Sequence, residues 1–193
     1  MQATDYPPTV NEMRLGKTEF YAMNNPVRRF IQKYGEFRTF KNFLKKRNMN
    51  LSGKVIIDAG CGSGYSSKLI MDEYHPAKLT AFDIMPEQIA IAQKRYKNIH
   101  FRTGDLTLIE LPENSADAVF VFGILHHIPE WRKALNNISG FLKHSGVFLV
   151  DEPRHRFTWD EFEQGMRDAG LMICEKKNLL LVSYFKCFMC IKK

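Results

Sequence analysis

Cysteine is scarce in this sequence of 193 residues, which contains only four, unevenly spaced. They are Cys61, Cys174, Cys187 and Cys190. Four cysteines placed in this way do not make a disulfide framework. Cys187 and Cys190 form a C-x-x-C, but no second pair completes a zinc site, and residues three apart on a strand point to opposite faces. We therefore interpret the cysteines as structural and predict no metal site.

Long apolar runs are also absent, since no stretch approaches the roughly 18 residues that a membrane-spanning helix needs. Residues 1–10 lack the basic and then apolar segments of a signal peptide. The hydrophobic share of 45%, with 12% aromatic residues, is ordinary for a packed core and excludes a disordered chain. The length fits one α/β domain. We expect a soluble, cytoplasmic protein.

Acidic residues are fewer than basic ones, 21 against 28, and the formal net charge is +7. Five basic residues cluster in the first third of the chain: Lys41, Lys45, Lys46, Arg47 and Lys54. Such a cluster attracts phosphates or an acidic substrate, but a solvated helix face has the same composition. No basic and aromatic RNA-binding module accompanies it, so nucleic acid is a secondary hypothesis.

The most informative stretch is residues 55–65, an apolar segment that turns on Gly60, Gly62 and Gly64. Glycine has no Cβ, so the backbone can take positive φ and lie against a ligand. This pattern predicts a strand, a ligand-cradling turn and the start of a helix. The dinucleotide fingerprint G-x-G-x-x-G requires its third glycine at position 65, which is Tyr65.

Asp58 precedes the first glycine by two residues, and this spacing resembles motif I of the class I S-adenosylmethionine-dependent methyltransferases. A carboxylate there suits a ligand with a cationic amino-acid end better than a pyrophosphate, because like charges in a poorly solvated turn repel. Asp83 follows Gly64 by nineteen residues, at the end of the next apolar segment. A carboxylate at this place accepts hydrogen bonds from both ribose hydroxyls.

The resemblance implies further contacts to the same cosubstrate, S-adenosyl-L-methionine, whose product is S-adenosyl-L-homocysteine. Ile84 and Met85 would flank the adenine ring. Asp105, after the third strand, matches the acid that binds the adenine amino group in this family, and the backbone amide of Leu106 would meet a ring nitrogen.

The fourth apolar segment, 117–122, leads into residues 123–129, Gly-Ile-Leu-His-His-Ile-Pro. This sequence resembles motif IV of the branch that includes the ubiquinone- and menaquinone-biosynthesis methyltransferases, and it adds Gly123 to the expected cosubstrate contacts. Enzymes of this fold that methylate exocyclic amines of bases carry Asn/Asp-Pro-Pro-aromatic there, and a Pro-Cys pair is also missing. A small-molecule acceptor is favoured.

Four side chains are candidates for a general base, which is needed only if the acceptor must lose a proton. His126 and His127 are the strongest, because imidazole titrates near neutral pH. Neighbouring loop residues rarely face the same way, so we expect at most one of the two histidines to face the substrate. The alternative is that neither does: one histidine caps the next helix while the other packs against its neighbours. Tyr21 and His155 are weaker candidates.

The alternation of apolar strands with helices predicts a Rossmann-like α/β fold. The resemblance implies a seven-stranded, mostly parallel sheet with helices on both faces and a terminal antiparallel strand pair, and N-terminal helices are expected before it. Residues 1–50 would form a helical extension or lid, with Asn25 capping a helix, and 51–193 the cosubstrate-binding domain. Strands are predicted at 54–58, 78–82, 99–102, 117–122, 147–150, 171–177 and 181–191. Helices are predicted at 65–74, 87–95, 130–143 and 158–169.

Several functions stay open at this point. A small-molecule methyltransferase is the leading hypothesis. An RNA- or protein-directed methyltransferase would use the basic N-terminal region, and a nicotinamide-dependent oxidoreductase is disfavoured by Asp58 and Tyr65. A protein that binds S-adenosylmethionine without turnover is also conceivable. The acceptor cannot be read from the sequence, and a second subunit, as in a homodimer, is one way to complete its pocket.

Overall fold

The computed structural model describes residues 25–179 and 184–193, over which the chain forms six α-helices and seven strands. The helices are α1 (Pro26–Ile31), α2 (Arg38–Lys46), α3 (Tyr65–Tyr74), α4 (Pro86–Arg95), α5 (Trp131–Phe141) and α6 (Trp159–Asp168). The strands are β1 (Val55–Ala59), β2 (Lys78–Asp83), β3 (His100–Thr103), β4 (Ala116–Phe122), β5 (Leu142–Pro153), β6 (Leu171–Asn178) and β7 (Phe185–Lys192).

The seven strands form one sheet in the order β3-β2-β1-β4-β5-β7-β6. Strands β1 to β5 are parallel to one another, whereas β7 is antiparallel to both β5 and β6. The predicted sheet with its terminal antiparallel pair is confirmed. The order reverses direction between β1 and β4, so their carboxyl ends open a crevice, which is where α/β sheets of this kind bind ligands.

Helices cover both faces of the sheet, as predicted. On one face α2, α3 and α4 bury their apolar side chains, and Phe40 packs against Phe120 and Phe122 with ring centroids 6.0 and 5.3 Å apart. On the other face α5 and α6 do so, with Trp131 against Phe162 at 5.8 Å. A sheet covered on both faces explains why β4 is apolar from Ala118 to Phe122.

The two cysteines of the C-x-x-C lie on β7 and are buried as free thiols. Cys187 belongs to the apolar cluster on the α2 face and Cys190 to the one on the α5 face, which confirms the expected opposite placement. Within residues 25–179 and 184–193, no three or more His, Cys, Asp or Glu side chains are grouped to hold a metal ion. In the same ranges no helix is long and apolar enough to cross a membrane.

The N-terminal helices position residues that the sequence did not single out. Asn25 caps α1 as predicted, since its Oδ1 accepts a hydrogen bond from Val27 N–H at 2.7 Å. Between α1 and α2 the chain continues as a π-helical segment, Gln32–Phe37, rather than ending. Such segments are frequent at functional sites. This one turns Glu36 inward, where it is buried.

Strand β5 begins earlier than its apolar core, 147–150, suggests. Leu142 already pairs with Ala116, and the next pair in register is Val147 with Ala118. Residues 143–146 therefore bulge out of a strand that has already begun. The strand also continues to Pro153, because β7 pairs with it along this whole length.

Candidate active site

The three glycines of the turn after β1 serve different purposes. A Cβ on Gly60 would lie 2.6 Å from Ile124, and one on Gly64 would lie 2.8 Å from Phe101, so both allow close packing. A Cβ on Gly62 would meet nothing within 4 Å. All three have positive φ, 76°, 51° and 85° in chain order. Gly62 is therefore the glycine whose open side can face a ligand.

Asp83, at the end of β2, faces this turn. Its Oδ2 accepts a hydrogen bond from Gly62 N–H and its Oδ1 one from Met85 N–H, both at 2.9 Å. Burial raises the pKa of Asp83, and the two N–H donors oppose that rise. A carboxylate oxygen has two acceptor directions, so each oxygen can take one further O–H donor. This geometry suits a vicinal diol.

Asp105 lies beside Asp83 at the end of the neighbouring strand. Its Oδ1 accepts two hydrogen bonds, from Thr107 N–H and from Thr107 Oγ1, both at 2.8 Å. Among the described residues no hydrogen bond reaches its Oδ2, so this oxygen is available to a ligand. These residues border what we call the glycine-turn cavity. It is lined by Gly60, Gly62, Phe82, Asp83, Ile84, Met85, Gln88, Gly104, Asp105, Leu106, Gly123, Ile124, His127 and Ile128.

The make-up of the glycine-turn cavity discriminates between nucleotide ligands. Ile84, Met85 and Leu106 give it apolar walls for a flat ring. Asp83 and Asp105 are acidic, and none of the described residues that line it is a lysine or arginine. Two carboxylates without a cation disfavour a pyrophosphate and suit a nucleoside that offers hydroxyl and amino donors. S-Adenosylmethionine has these groups, and the residues present fit it.

Asp58 lies beneath the turn and does not line the glycine-turn cavity. It is fully buried, and its Oδ2 accepts hydrogen bonds from Ser66 Oγ at 2.6 Å and Ser67 Oγ at 2.5 Å. Burial raises the pKa of Asp58 to about 6, although the two serine hydroxyls oppose the rise. The carboxylate therefore fixes the first turn of α3 to the end of β1.

Glu152 holds the loop after β4 and was not predicted as a site residue. It is 0% exposed. Its Oε1 accepts hydrogen bonds from Ile124 N–H and Leu125 N–H at 3.0 and 2.7 Å, and its Oε2 from His126 N–H at 3.2 Å. The Nδ1 atom of His126 lies 2.7 Å from Oε2 and is assigned as a donor, because an ionised carboxylate has only acceptors.

A second cavity, which we call the histidine cavity, opens on the other side of this loop with a volume of about 430 Å³. It brings together His126, His127 and His155, with the His126 and His127 ring centroids 3.9 Å apart. Tyr21 lies outside the described residues. The full lining is Arg28, Ile31, Glu36, Gly123, His126, His127, Asp151, Pro153, His155, Leu179, Tyr184 and Phe185.

Three charged residues of the histidine cavity escaped sequence reasoning. Arg28 Nη1 binds both carboxylate oxygens of Glu36, at 2.7 and 2.8 Å, across the π-helical segment. Asp151, at the end of β5, is 2% exposed, and its Oδ1 has no hydrogen-bond partner among the described residues. The sequence offers one indication for Asp151, namely that an acidic residue ends an apolar strand.

Solved structures share this fold. An S-adenosylmethionine-dependent methyltransferase from Aquifex aeolicus superposes with a TM-score of 0.76, at 16% identity, and the match covers 93% of this chain and 100% of that one. At this identity the likeness shows the fold alone.

Curated relatives are similar in sequence as well. A fatty-acid O-methyltransferase of Mycolicibacterium smegmatis is 25% identical over 132 residues, which are 67% of this chain and 48% of the relative. A malonyl-[acyl-carrier protein] O-methyltransferase of Acetivibrio thermocellus is 33% identical over 140 residues, 66% of this chain and 49% of the relative. The chain thus spans about half the length of the curated relatives it matches.

The family match covers most of the chain, including the residues that line the glycine-turn cavity. Residues 50–185 match the family model described as a methyltransferase domain. That range holds the glycine turn, both carboxylates of the glycine-turn cavity and the loop with the two histidines. The chain belongs to the class I S-adenosylmethionine-dependent methyltransferases.

Proposed function

We propose that this chain transfers a methyl group from S-adenosylmethionine, held in the glycine-turn cavity, to a small molecule held in the histidine cavity. One observation carries the proposal: Gly123 and His127 line both cavities. The two cavities therefore adjoin at these residues, which places a group bound in one cavity beside a group bound in the other. The volume of about 430 Å³ lies in the range of small-molecule sites.

In this proposal each of the predicted cosubstrate residues contacts a different part of the ligand. The two oxygens of Asp83 take the ribose hydroxyls. Oδ2 of Asp105 and the backbone N–H of Leu106 take the edge of the adenine ring, while Ile84 and Met85 lie against its faces. Asp58 and Gly64 act beneath the turn as positioning residues, because neither borders the cavity.

When bound, the cosubstrate supplies a methyl group on a positively charged sulfur. A lone pair of the acceptor forms the new bond to the methyl carbon, and the electron pair of the broken carbon–sulfur bond goes to sulfur. The protein then has to hold the acceptor in line and exclude water, an orientation effect worth up to roughly 7–11 kcal/mol. His127 borders both cavities and is our candidate for the group that accepts a proton from the acceptor. Nδ1 of His126 is engaged with Glu152, so we assign His126 to shaping the loop.

The N-terminal extension, residues 1–50, completes the acceptor side in this account. Its described part contributes Arg28, Ile31 and Glu36 to the histidine cavity. The names of the relatives, a fatty-acid and a malonyl-[acyl-carrier protein] O-methyltransferase, support an acceptor of small-molecule type.

The basic cluster gives little support to an RNA-directed activity. Lys46 and Arg47 both bind Glu175, at 2.7 and 2.8 Å, and Lys41 binds Glu73 at 2.6 Å. Three of the five clustered cations are thus paired with acids on the same chain. The small-molecule function is better supported, because its acceptor has a cavity.

Substitution of Gly62 with alanine tests the proposal. The new methyl group would project into the space assigned to the cosubstrate, and we expect S-adenosylhomocysteine to bind about 10- to 100-fold more weakly by calorimetry. Gly53→Ala is the matched control. Gly53 also has positive φ, at 68°, and nothing within 4 Å of a built Cβ, so both variants carry the same backbone strain of about 1–2 kcal/mol.

The two variants separate ligand space from general destabilisation. The proposal holds if Gly53→Ala binds S-adenosylhomocysteine like the wild type and Gly62→Ala does not. Equal affinities for all three proteins would mean that the ligand does not lie on the glycine turn.

A further inference from the structure

The histidine cavity contains a buried carboxylate that the proposed transfer does not use. Asp151 is 2% exposed, lines this cavity, and has an Oδ1 atom without a hydrogen-bond partner among the described residues. A buried polar atom of this kind is expensive unless a partner supplies its hydrogen bond. Burial, and then the negative charge of Glu36, raise the pKa of Asp151 well above its usual range.

Within the described part of the chain, the charge of Arg28 acts on Asp151 and lowers its pKa, against the larger effects of burial and of Glu36. The guanidinium of Arg28 is committed to Glu36, with both oxygens of that carboxylate on Nη1. Glu152 lies beneath the cavity and is engaged with backbone N–H groups and His126. Glu36 and Asp151 thus face a single arginine on the cavity wall, and Glu152 adds a further negative charge.

The histidine cavity is also lined by its three histidines, and the rest of its wall is mainly apolar or aromatic. Ile31, Leu179 and Phe185 line that part, together with Tyr184. A ligand that fits has one polar end at Asp151 and an apolar or aryl body. An anionic end would face Asp151 and Glu36, which are like charges in a poorly solvated place.

We propose that the histidine cavity selects an acceptor that carries a protonated amino group, whose N–H donates to Asp151 Oδ1. This inference rests on the proposed function, and it names the substrate class of the same site. It does not require the amino nitrogen to be the atom that receives the methyl group. Asp151 does not line the glycine-turn cavity, so its charge is assigned to the acceptor rather than to the cosubstrate.

Three aryl probes of similar size and different charge test the inference. Benzylamine, benzyl alcohol and benzoate are titrated into protein already saturated with S-adenosylhomocysteine, in mildly alkaline buffer. We expect benzylamine to bind about 10- to 100-fold more tightly than benzyl alcohol, and benzoate most weakly, because a hydrogen bond to a charged partner exceeds one to a neutral group.

Asp151→Asn keeps the size of the side chain and removes its charge. We expect this variant to bind benzylamine and benzyl alcohol equally while its affinity for S-adenosylhomocysteine stays unchanged, which also shows that it folds. The control is Asp117→Asn, since Asp117 is the second residue of β4, at the opposite end of the sheet, and pairs with Lys143. It should keep the preference for benzylamine.

Each failure points to a different error. Saturated wild-type protein that prefers benzoate, or that treats the three probes alike, overturns the inference, as does an Asp151→Asn variant that keeps the preference. Wild-type protein that does not bind S-adenosylhomocysteine overturns the proposed function itself.

Discussion

Replacing Asp83 with asparagine is expected to weaken the binding of S-adenosylhomocysteine by about 100-fold or more. The carboxylate accepts hydrogen bonds from Gly62 N–H and Met85 N–H and has one acceptor direction left on each oxygen. An asparagine amide nitrogen accepts nothing, so one backbone N–H and one ribose hydroxyl lose their acceptor together. Hydrogen bonds to a charged group are worth about 1.5–3 kcal/mol each.

Calorimetric titration of the purified variant measures this effect. The control is Asp72→Asn, an aspartate on the exposed face of α3 that pairs with Lys68. It should bind like the wild type. If Asp83→Asn kept wild-type affinity, the second strand would not hold the ribose, and the assignment of the glycine-turn cavity would be wrong.

Glu152→Gln is expected to lower the free energy of unfolding by about 2–4 kcal/mol. Glu152 is fully buried and accepts three backbone N–H groups and the imidazole of His126 on its two oxygens. Glutamine has one oxygen, so two of these buried donors lose their acceptor and face an N–H₂ group instead. Each buried donor left without a partner costs about 1–3 kcal/mol.

Urea unfolding at neutral pH measures the change, and a loss of this size is a large share of the stability of an ordinary domain. Glu113→Gln is the matched control, because Glu113 is exposed in the segment before β4. It should unfold at the wild-type urea concentration. An unchanged midpoint for Glu152→Gln would show that this carboxylate does not hold the loop.

Much of the fold follows from local sequence. The alternation of apolar segments with helical ones predicts the sheet. The residues Thr158 and Glu161 also form a capping box at the start of α6, with both of its hydrogen bonds present. The early start of β5 and the π-helical segment do not follow from it. Pairing of Leu142 with Ala116 depends on the neighbouring strand, and the π-helical turn depends on what its side chains pack against.

The site divides in the same way. Asp83 and Asp105 were predictable, because acids at the ends of successive parallel strands meet at one edge of the sheet. The roles of Arg28, Glu36 and Asp151 in lining a cavity were not predictable, because they depend on where α1 lies relative to the end of β5. Sequence spacing carries no record of such a contact, since the segments are more than one hundred residues apart.

The most direct measurement of the central claim follows the methyl group. The protein is incubated with S-adenosylmethionine labelled in its methyl group and, separately, with the small-molecule, RNA and protein fractions of a cell extract. A transferase with its acceptor in the histidine cavity should place label in the small-molecule fraction, and Asp83→Asn should abolish this. Label that enters only RNA or protein would contradict the account.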